Sequence, residues 1–230
     1  MRGLRGSHLF YRSQHHDSAP THPKSQAVPP ITTAPGDLGP YNSPTALTPE
    51  TSAVDLAGTR VAVLVEQKYE EMEVWYPVYR LREAGCEVVL VGPKAGEAYP
   101  SKLGYPARAD VAAADVTADQ FQAVVIPGGF SPDFIRRSDA MLKLVRDAHA
   151  QGKPLAAICH GPWVLCSTTA LRGRKATGYH SIKDDMVNAG ATFVDQPVCV
   201  DGNVITSRKP DDLPVFVVAI MTMIENRSKK

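Results

Sequence analysis

The sequence predicts an α/β fold in which a mostly parallel sheet lies between layers of helices. From residue 59 onward, short apolar runs of strand length alternate with longer segments of helical periodicity. The runs are continuously apolar, which is typical of strands buried on both faces. Strands separated by helices pair in parallel, because each helix carries the chain back across the sheet. The chain has 230 residues, 43% of them apolar, enough for one such domain with an appendage.

The appendage is an N-terminal arm, which we place at residues 1–57, with the α/β domain at 58–227. Eight of the 19 prolines lie in the first 50 residues, among many Ser, Thr and Gly and without hydrophobic periodicity. Such a segment cannot offset the entropy lost on ordering, so we expect the arm to be disordered. Its first sixteen residues hold three Arg and no acid, a weak likeness to a transit peptide that no clear amphipathic pattern supports.

The first half of the domain contains two predicted buried strands with a helix between them. The strands are 60–65 and 86–91. The helix covers 70–84 and ends at Gly85, a C-terminal cap, while Pro77 should kink it or remove one hydrogen bond. Residues 98–112 have the pattern of a hairpin that leaves the sheet.

The second half repeats the alternation. Its predicted strands are 122–126, the run before Cys159, and the pairs 198–200 and 204–206. The last two flank Asp201-Gly202-Asn203, which predicts a β-hairpin. Its predicted helices are 140–150, 161–170, 181–189 and 211–226.

Three predicted loops meet at one edge of this sheet. They are 66–73, 128–133 and 159–161, and each follows the carboxyl end of a strand. Ligands of open parallel sheets bind at that edge. The sequence therefore predicts a functional site formed by these loops.

Cys159 is the most informative residue of the site. A short apolar run ends at Cys159, and His160, Gly161 and a helical segment follow. This order predicts an elbow in which the strand delivers the sulfur and the glycine permits a tight turn. A helix start favours the thiolate, the nucleophilic form of cysteine, so we expect an ionised and accessible thiol at neutral pH.

Composition argues against several classes of protein. The formal charge is +1, without the basic clusters of a nucleic-acid surface, and no apolar run has membrane-spanning length. The four cysteines show neither CxxC spacing nor the density of a disulfide scaffold, so we expect a reducing compartment, the cytoplasm, and no metal or other cofactor.

Six segments together resemble the PfpI-type intracellular cysteine peptidases, in the superfamily of the parkinsonism-associated deglycase. They occur in family order over residues 59–226. The segments are Tyr69-Glu-Glu-Met-Glu-Val74, Val125-Ile-Pro-Gly-Gly129 with Ser131-Pro-Asp133, Ala156-Ala-Ile-Cys-His-Gly-Pro162, Leu171-Arg-Gly-Arg-Lys-Ala-Thr177, Ile182-Lys-Asp-Asp-Met186 with Asn188-Ala-Gly190, and Val200-Asp-Gly-Asn203 with Thr206-Ser-Arg208. The resemblance implies a flavodoxin-like fold, as in class I glutamine amidotransferases.

The resemblance also implies four catalytic residues. Cys159 is the nucleophile and His160 its base or proton shuttle. Glu73 corresponds to an acid that meets the cysteine, and because two anions in contact repel, it should hold a proton. Asp133 corresponds to an acid that reaches the histidine of a neighbouring subunit, although it could instead cap a short helix.

Three further residues are expected to hold the substrate. Gly128 and Gly129 place backbone N–H groups where an oxyanion could be bound, with the N–H of His160 as a second donor. Tyr179 corresponds to an aromatic residue that lines the site of the family.

The expected function is that of a cysteine hydrolase. The resemblance leaves two substrate classes open, peptides and adducts of glyoxal-type aldehydes, and implies a homodimer or homohexamer with its site near the subunit interface. The alternative is a stress protein, an oxidation sensor or chaperone, that uses the same thiol without catalysis.

Overall fold

The computed structural model describes residues 54–229, and within them the predicted sheet is present. Seven strands form it in the order β10-β11-β7-β6-β1-β2-β5. Their bounds are β1 (Arg60–Leu64), β2 (Glu87–Gly92), β5 (Val111–Ala112), β6 (Ala123–Ile126), β7 (Leu155–Ile158), β10 (Val198–Asp201) and β11 (Val204–Ser207). All neighbours pair in parallel except β10 and β11, the predicted hairpin.

Two smaller sheets lie outside this one. The predicted hairpin excursion is the antiparallel pair β3 (Ala98–Pro100) and β4 (Pro106–Arg108). Its expected range of 98–112 was too long, because Val111 and Ala112 pair with β2 at the edge of the main sheet. A parallel pair of two-residue strands, β8 (Lys175–Ala176) and β9 (Thr192–Phe193), was not predicted.

Six α-helices cover the sheet in the described part of the chain. They are α1 (Glu71–Glu83), α2 (Ser131–Ile135), α3 (Asp139–Ala150), α4 (Pro162–Cys166), α5 (Lys183–Asn188) and α6 (Leu213–Ser228). The helix expected at 161–170 ends early, at Cys166. Thr169 has a left-handed conformation with φ 60°, which is incompatible with a right-handed helix. Helix α1 runs unbroken through the buried Pro77.

Successive side chains of β1 point into two separate cores. Val61 and Val63 pack with the apolar faces of α1 and α6. Ala62 and Leu64 point the opposite way, into a core formed with α3, α4 and α5. Continuous apolar sequence in the central strands thus serves both helical layers, as the sequence indicated.

The ordered core begins before the predicted domain boundary at residue 58. Leu56 is buried, and its N–H donates to the carbonyl of Ala84 at the end of α1. The arm was predicted to be disordered over residues 1–57. Residues 1–53 of that range lie outside the residues that the structure describes. No helix among residues 54–229 is long and apolar enough to cross a membrane.

Candidate active site

Cys159 lies at the carboxyl end of β7 in a strained elbow. Its φ is 59°, a left-handed conformation that a side chain rarely adopts. Its N–H donates to the carbonyl of Ser207, and its carbonyl accepts from Tyr179 N–H at 2.8 Å. The chain then turns through His160 and Gly161 into α4. These backbone bonds on both sides hold the conformation that directs the sulfur away from the sheet.

Gly161 is required by the tightness of this turn. A Cβ at this position would lie 2.4 Å from the carbonyl oxygen of Ile126 on the neighbouring strand. The N–H of Gly161 donates to the carbonyl of Ile158 at 2.7 Å. The glycine predicted to permit the elbow therefore does so through close approach to β6.

Glu73 lies in the first turn of α1 and is fully buried. Its Oε2 accepts from the N–H of Gly128 at 2.7 Å. A Cβ at Gly128 would lie 2.7 Å from this oxygen and 2.8 Å from the Cβ of Cys159, so the carboxyl and the cysteine flank the same small space. The expected role of Gly128 therefore changes: its N–H positions Glu73 and is not free for an oxyanion.

Gly129 ties the loop before α1 to the loop after β6. It has φ 69° and forms an isolated antiparallel bridge with Tyr69. A Cβ here would lie 2.5 Å from the carbonyl oxygen of Lys68. This close approach fixes the start of α1, and with it Glu73, beside the elbow.

Burial controls the proton on Glu73. It raises the pKa of this carboxyl to about 8, the neighbouring charge of Glu70 raises it further, and the N–H of Gly128 opposes both. A pKa of about 8 favours the protonated carboxyl at neutral pH, which is the state that the family resemblance implies. Its Oε1 is buried and has no nitrogen or oxygen partner among the described residues, which leaves the carboxyl free to interact with the sulfur.

The sulfur of Cys159 is subject to opposing influences. Burial, the largest influence, raises the pKa of the Cys159 thiol above its ordinary value, and Glu73 raises it further when that carboxyl is charged; the N–H groups of Gly129 and His160 oppose this rise without reversing it. Once Glu73 is protonated, its charge no longer acts on the sulfur, and its O–H becomes a third donor that stabilises a thiolate. The thiol is less open than the sequence predicted, since Cys159 is 8% exposed.

His160 faces the sulfur on the other side. Its Nδ1 lies 3.3 Å from the Cys159 sulfur, and its Nε2 lies 3.2 Å from the hydroxyl of Ser181. Burial lowers the pKa of the imidazole, so it is neutral at pH 7. When Nε2–H donates to Ser181, Nδ1 has its lone pair towards the sulfur and can accept a proton.

Aromatic side chains surround this imidazole. Tyr179 stacks on it with centroids 5.0 Å apart, Trp163 meets it edge-on at 5.0 Å, and Phe130 lies at 6.3 Å. The predicted contribution of Tyr179 is thus a contact with His160. Neither Ser181 nor the aromatic contacts could be predicted, because their sequence positions carry no catalytic pattern.

Asp133 is exposed and lies at the third position of α2. It makes no side-chain hydrogen bond or ion pair with residues 54–229, and it caps no helix. With Lys68, Phe130, Phe134 and Trp163 it lines a groove of about 460 Å³ next to the histidine. Within one chain the structure therefore unites Cys159, His160 and Glu73 but leaves Asp133 unconnected to them.

The described residues offer no evident metal site. Across residues 54–229, no three His, Cys, Asp or Glu side chains lie close enough together to hold a metal ion. All four cysteines are free thiols, and Cys166, on α4, is half-buried. The chemistry available at this site is that of a buried thiol between a protonated carboxyl and a neutral imidazole.

Comparisons with known proteins agree with this geometry. The sequence pattern of the DJ-1/PfpI family matches residues 59–223. The chain is 44% identical to a deglycase of Pyrococcus abyssi over 166 residues. This match covers 72% of this chain and 99% of the relative. It is also 44% identical over 157 residues to a Bacillus subtilis protein named as a candidate cysteine protease, covering 68% and 93% of the two chains. The crystal structure of Drosophila melanogaster DJ-1beta superposes with a TM-score of 0.69 at 32% identity, covering 73% of this chain and 90% of that one.

Proposed function

Because the chain belongs to the DJ-1/PfpI family, we propose that it is a cysteine-dependent hydrolase that removes adducts formed by glyoxal-type aldehydes. The observation that carries the proposal is the elbow at Cys159. The strained backbone holds the sulfur between a protonated Glu73 and the acceptor nitrogen of a neutral His160. A nucleophile next to a base that a third group orients is the signature of covalent catalysis.

In the proposed reaction the thiolate of Cys159 adds to a carbonyl carbon that carries the leaving nitrogen, as in a peptide or in the 2-hydroxyacyl amide to which the aminocarbinol adduct of a glyoxal-type aldehyde isomerises. The C–S bond forms as an electron pair of the C=O bond moves to oxygen. The N–H groups of Gly129 and His160, which face the sulfur, are placed to stabilise that oxyanion. When the oxyanion collapses, the bond from carbon to the leaving nitrogen breaks, and the nitrogen departs with its electron pair and a proton that His160 relays from solvent. Water then adds to the thioester, and neutral His160 accepts its proton and releases it to solvent. The C–S bond breaks with its electron pair returning to the Cys159 sulfur.

The recess around the sulfur favours small substrates over long peptides. Cys159 is 8% exposed, and the ring of His160, stacked by Tyr179, lies directly beside it. An extended peptide needs a cleft that exposes the nucleophile along several residues, whereas a dicarbonyl adduct presents only a few atoms. Peptide hydrolysis would use the same residues and is the second arm of the test below.

We propose that the site is completed in a symmetric oligomer. Asp133 is exposed in a groove whose walls, Phe130 and Trp163, contact His160. An acid at this position can reach the histidine of a second copy, as the family resemblance implies. Four free thiols also fit our proposal of a cytoplasmic location, where cysteines stay reduced.

A substrate panel on wild type and Cys159→Ala tests the hydrolase proposal. We expect wild type to turn over methylglyoxal or methylglyoxal-modified amino acids, with fluorogenic peptides slower. Cys159→Ala should lose at least about a thousandfold in kcat/KM, because no other nucleophile lies at the elbow. Cys166→Ala, which removes the half-buried thiol of α4, is the matched control and should retain full activity.

Two results would contradict the proposal. Turnover that survives in Cys159→Ala would remove the sulfur from the mechanism. Stoichiometric oxidation of Cys159 in a protein without turnover of any substrate would favour the oxidation sensor or chaperone.

A further inference from the structure

An ion pair between Glu70 and Lys102 lies one helical turn before Glu73. Glu70, the residue that precedes α1, is buried, with 8% of its side chain exposed. Its carboxylate contacts the ammonium of Lys102, which reaches it from the loop between β3 and β4. Lys102 itself is 44% exposed, so a buried carboxylate here is neutralised by a cation that solvent can reach.

The loop that carries Lys102 is held firmly over the start of α1. Tyr69 accepts from the N–H of Lys102 through its carbonyl at 3.0 Å and donates its hydroxyl to the carbonyl of Tyr105 at 2.6 Å. The carboxylate of Glu71 accepts from the N–H of Leu103 at 2.9 Å. The backbone of the loop that carries Lys102 is therefore fixed relative to the start of α1, which brings its side chain within reach of Glu70.

Few charged groups lie near the buried carboxyl of Glu73. The N–H of Glu73 donates to the carbonyl of Glu70 at 3.2 Å, so Glu70 and the ammonium of Lys102 that contacts it lie one turn from the buried carboxyl. The groups that act on Glu73 are Glu70, Lys102 and Cys159, while Glu71 acts on Lys102. His160 lies on the far side of the sulfur. With so few charges in a buried region, each of them has a large influence on where the proton of Glu73 resides.

We propose that Glu70 and Lys102 are positioning residues whose charges act in opposite directions on the proton that Glu73 shares with Cys159 and so compensate each other. Glu70 favours the protonated carboxyl by charge repulsion. Lys102 limits that effect, because its ammonium contacts the Glu70 carboxylate. The inference rests on the proposed function only in assigning Glu73 a role beside the nucleophile.

The test follows the proton of Glu73 directly, by infrared absorption of protonated carboxyl groups against pH in the full-length protein. The band is assigned as the one missing in Glu73→Gln. Glu70→Gln leaves Lys102 unbalanced and should lower the pH at which the proton is lost by about one unit. Lys102→Gln leaves Glu70 unbalanced and should raise it.

Two further variants separate electrostatics from structural damage. The double variant Glu70→Gln with Lys102→Gln should return close to the wild-type midpoint, because the two charges are removed together. Lys102→Arg should preserve the midpoint. Lys94→Gln, which removes an exposed Lys from the other end of the same hairpin segment, is the matched control and should change nothing.

Midpoints that shift in the same direction in both single variants, or that do not shift, overturn the proposal. So does a double variant that is more perturbed than either single one. None of these measurements uses turnover. Failure of the hydrolase proposal would therefore leave the shifts intact, and absence of the shifts would leave the turnover test unaffected.

Discussion

At the scale of single residues, the site depends on where one proton resides. Glu73 is buried beside Cys159, and its pKa is raised to about 8 mainly by burial. A charged carboxylate there would repel a thiolate, whereas a protonated one donates to it. The sequence predicted this pairing through the family resemblance, but it overestimated how open the thiol is.

The raised pKa of Glu73 has a consequence for stability. The folded protein binds this proton more tightly than the unfolded chain, in which the pKa is near 4.5. Its contribution to the free energy of unfolding is therefore fully present below about pH 4.5 and is lost as pH rises through 8. Over this interval we expect the free energy of unfolding of wild type to fall by ~4 kcal/mol relative to that of Glu73→Gln, which cannot ionise.

Urea unfolding at about pH 5 and about pH 9 measures this difference. Glu83→Gln, which removes an exposed acid at the other end of α1, is the control and should follow wild type at both values. If Glu73→Gln shows the same pH dependence as wild type, the carboxyl is not the buried, protonated group described above.

At the scale of elements, the strands and helices around the site could be predicted from periodicity. The strands at 60–65 and 122–126 and the helices at 70–84 and 140–150 match the structure to within a residue or two. Their apolar patterns are long or continuous, and such patterns are dictated by burial.

The errors have physical reasons as well. The two-residue strands β8 and β9 are too short to produce a pattern, and they form only because the chain brings them together. The contact of Lys102 with Glu70 joins the loop of a hairpin to the start of α1, so it depends on tertiary structure that no local motif encodes. The same applies to Ser181, which meets His160 from 21 positions away in sequence.

At the scale of the whole molecule, the proposed oligomer gives Asp133 its role. Its side chain has no hydrogen-bond or ion-pair partner within residues 54–229, and it lines a groove beside the histidine. If Asp133 acts on the His160 of a second copy, each active site takes its Cys159 from one subunit and its Asp133 from the other. The variants Asp133→Ala and Cys159→Ala then damage different subunits of the same site. Asp133→Ala alone should lose about tenfold or more in kcat/KM.

Mixing the two inactive variants under conditions that allow subunit exchange tests this arrangement. Mixed oligomers contain some sites with both residues intact, so activity should exceed that of either variant alone. Size-exclusion chromatography of differently tagged subunits confirms the exchange. Mixed oligomers without recovered activity, or an unimpaired Asp133→Ala, would show that Asp133 acts within its own chain or not at all.

The proposed mechanism depends on the reactivity of the Cys159 sulfur near neutral pH. Peptide mass spectrometry after alkylation with iodoacetamide measures this reactivity across the pH range. Burial raises the pKa of the Cys159 thiol, and a proton on Glu73 should offset this rise, because it removes the carboxylate charge and leaves the Glu73 O–H and the N–H groups of Gly129 and His160 as donors to a thiolate. We therefore predict a rate that is already near its plateau at pH 7. A rate that instead climbs about tenfold per pH unit beyond pH 9, as for an ordinary buried thiol, would contradict the account.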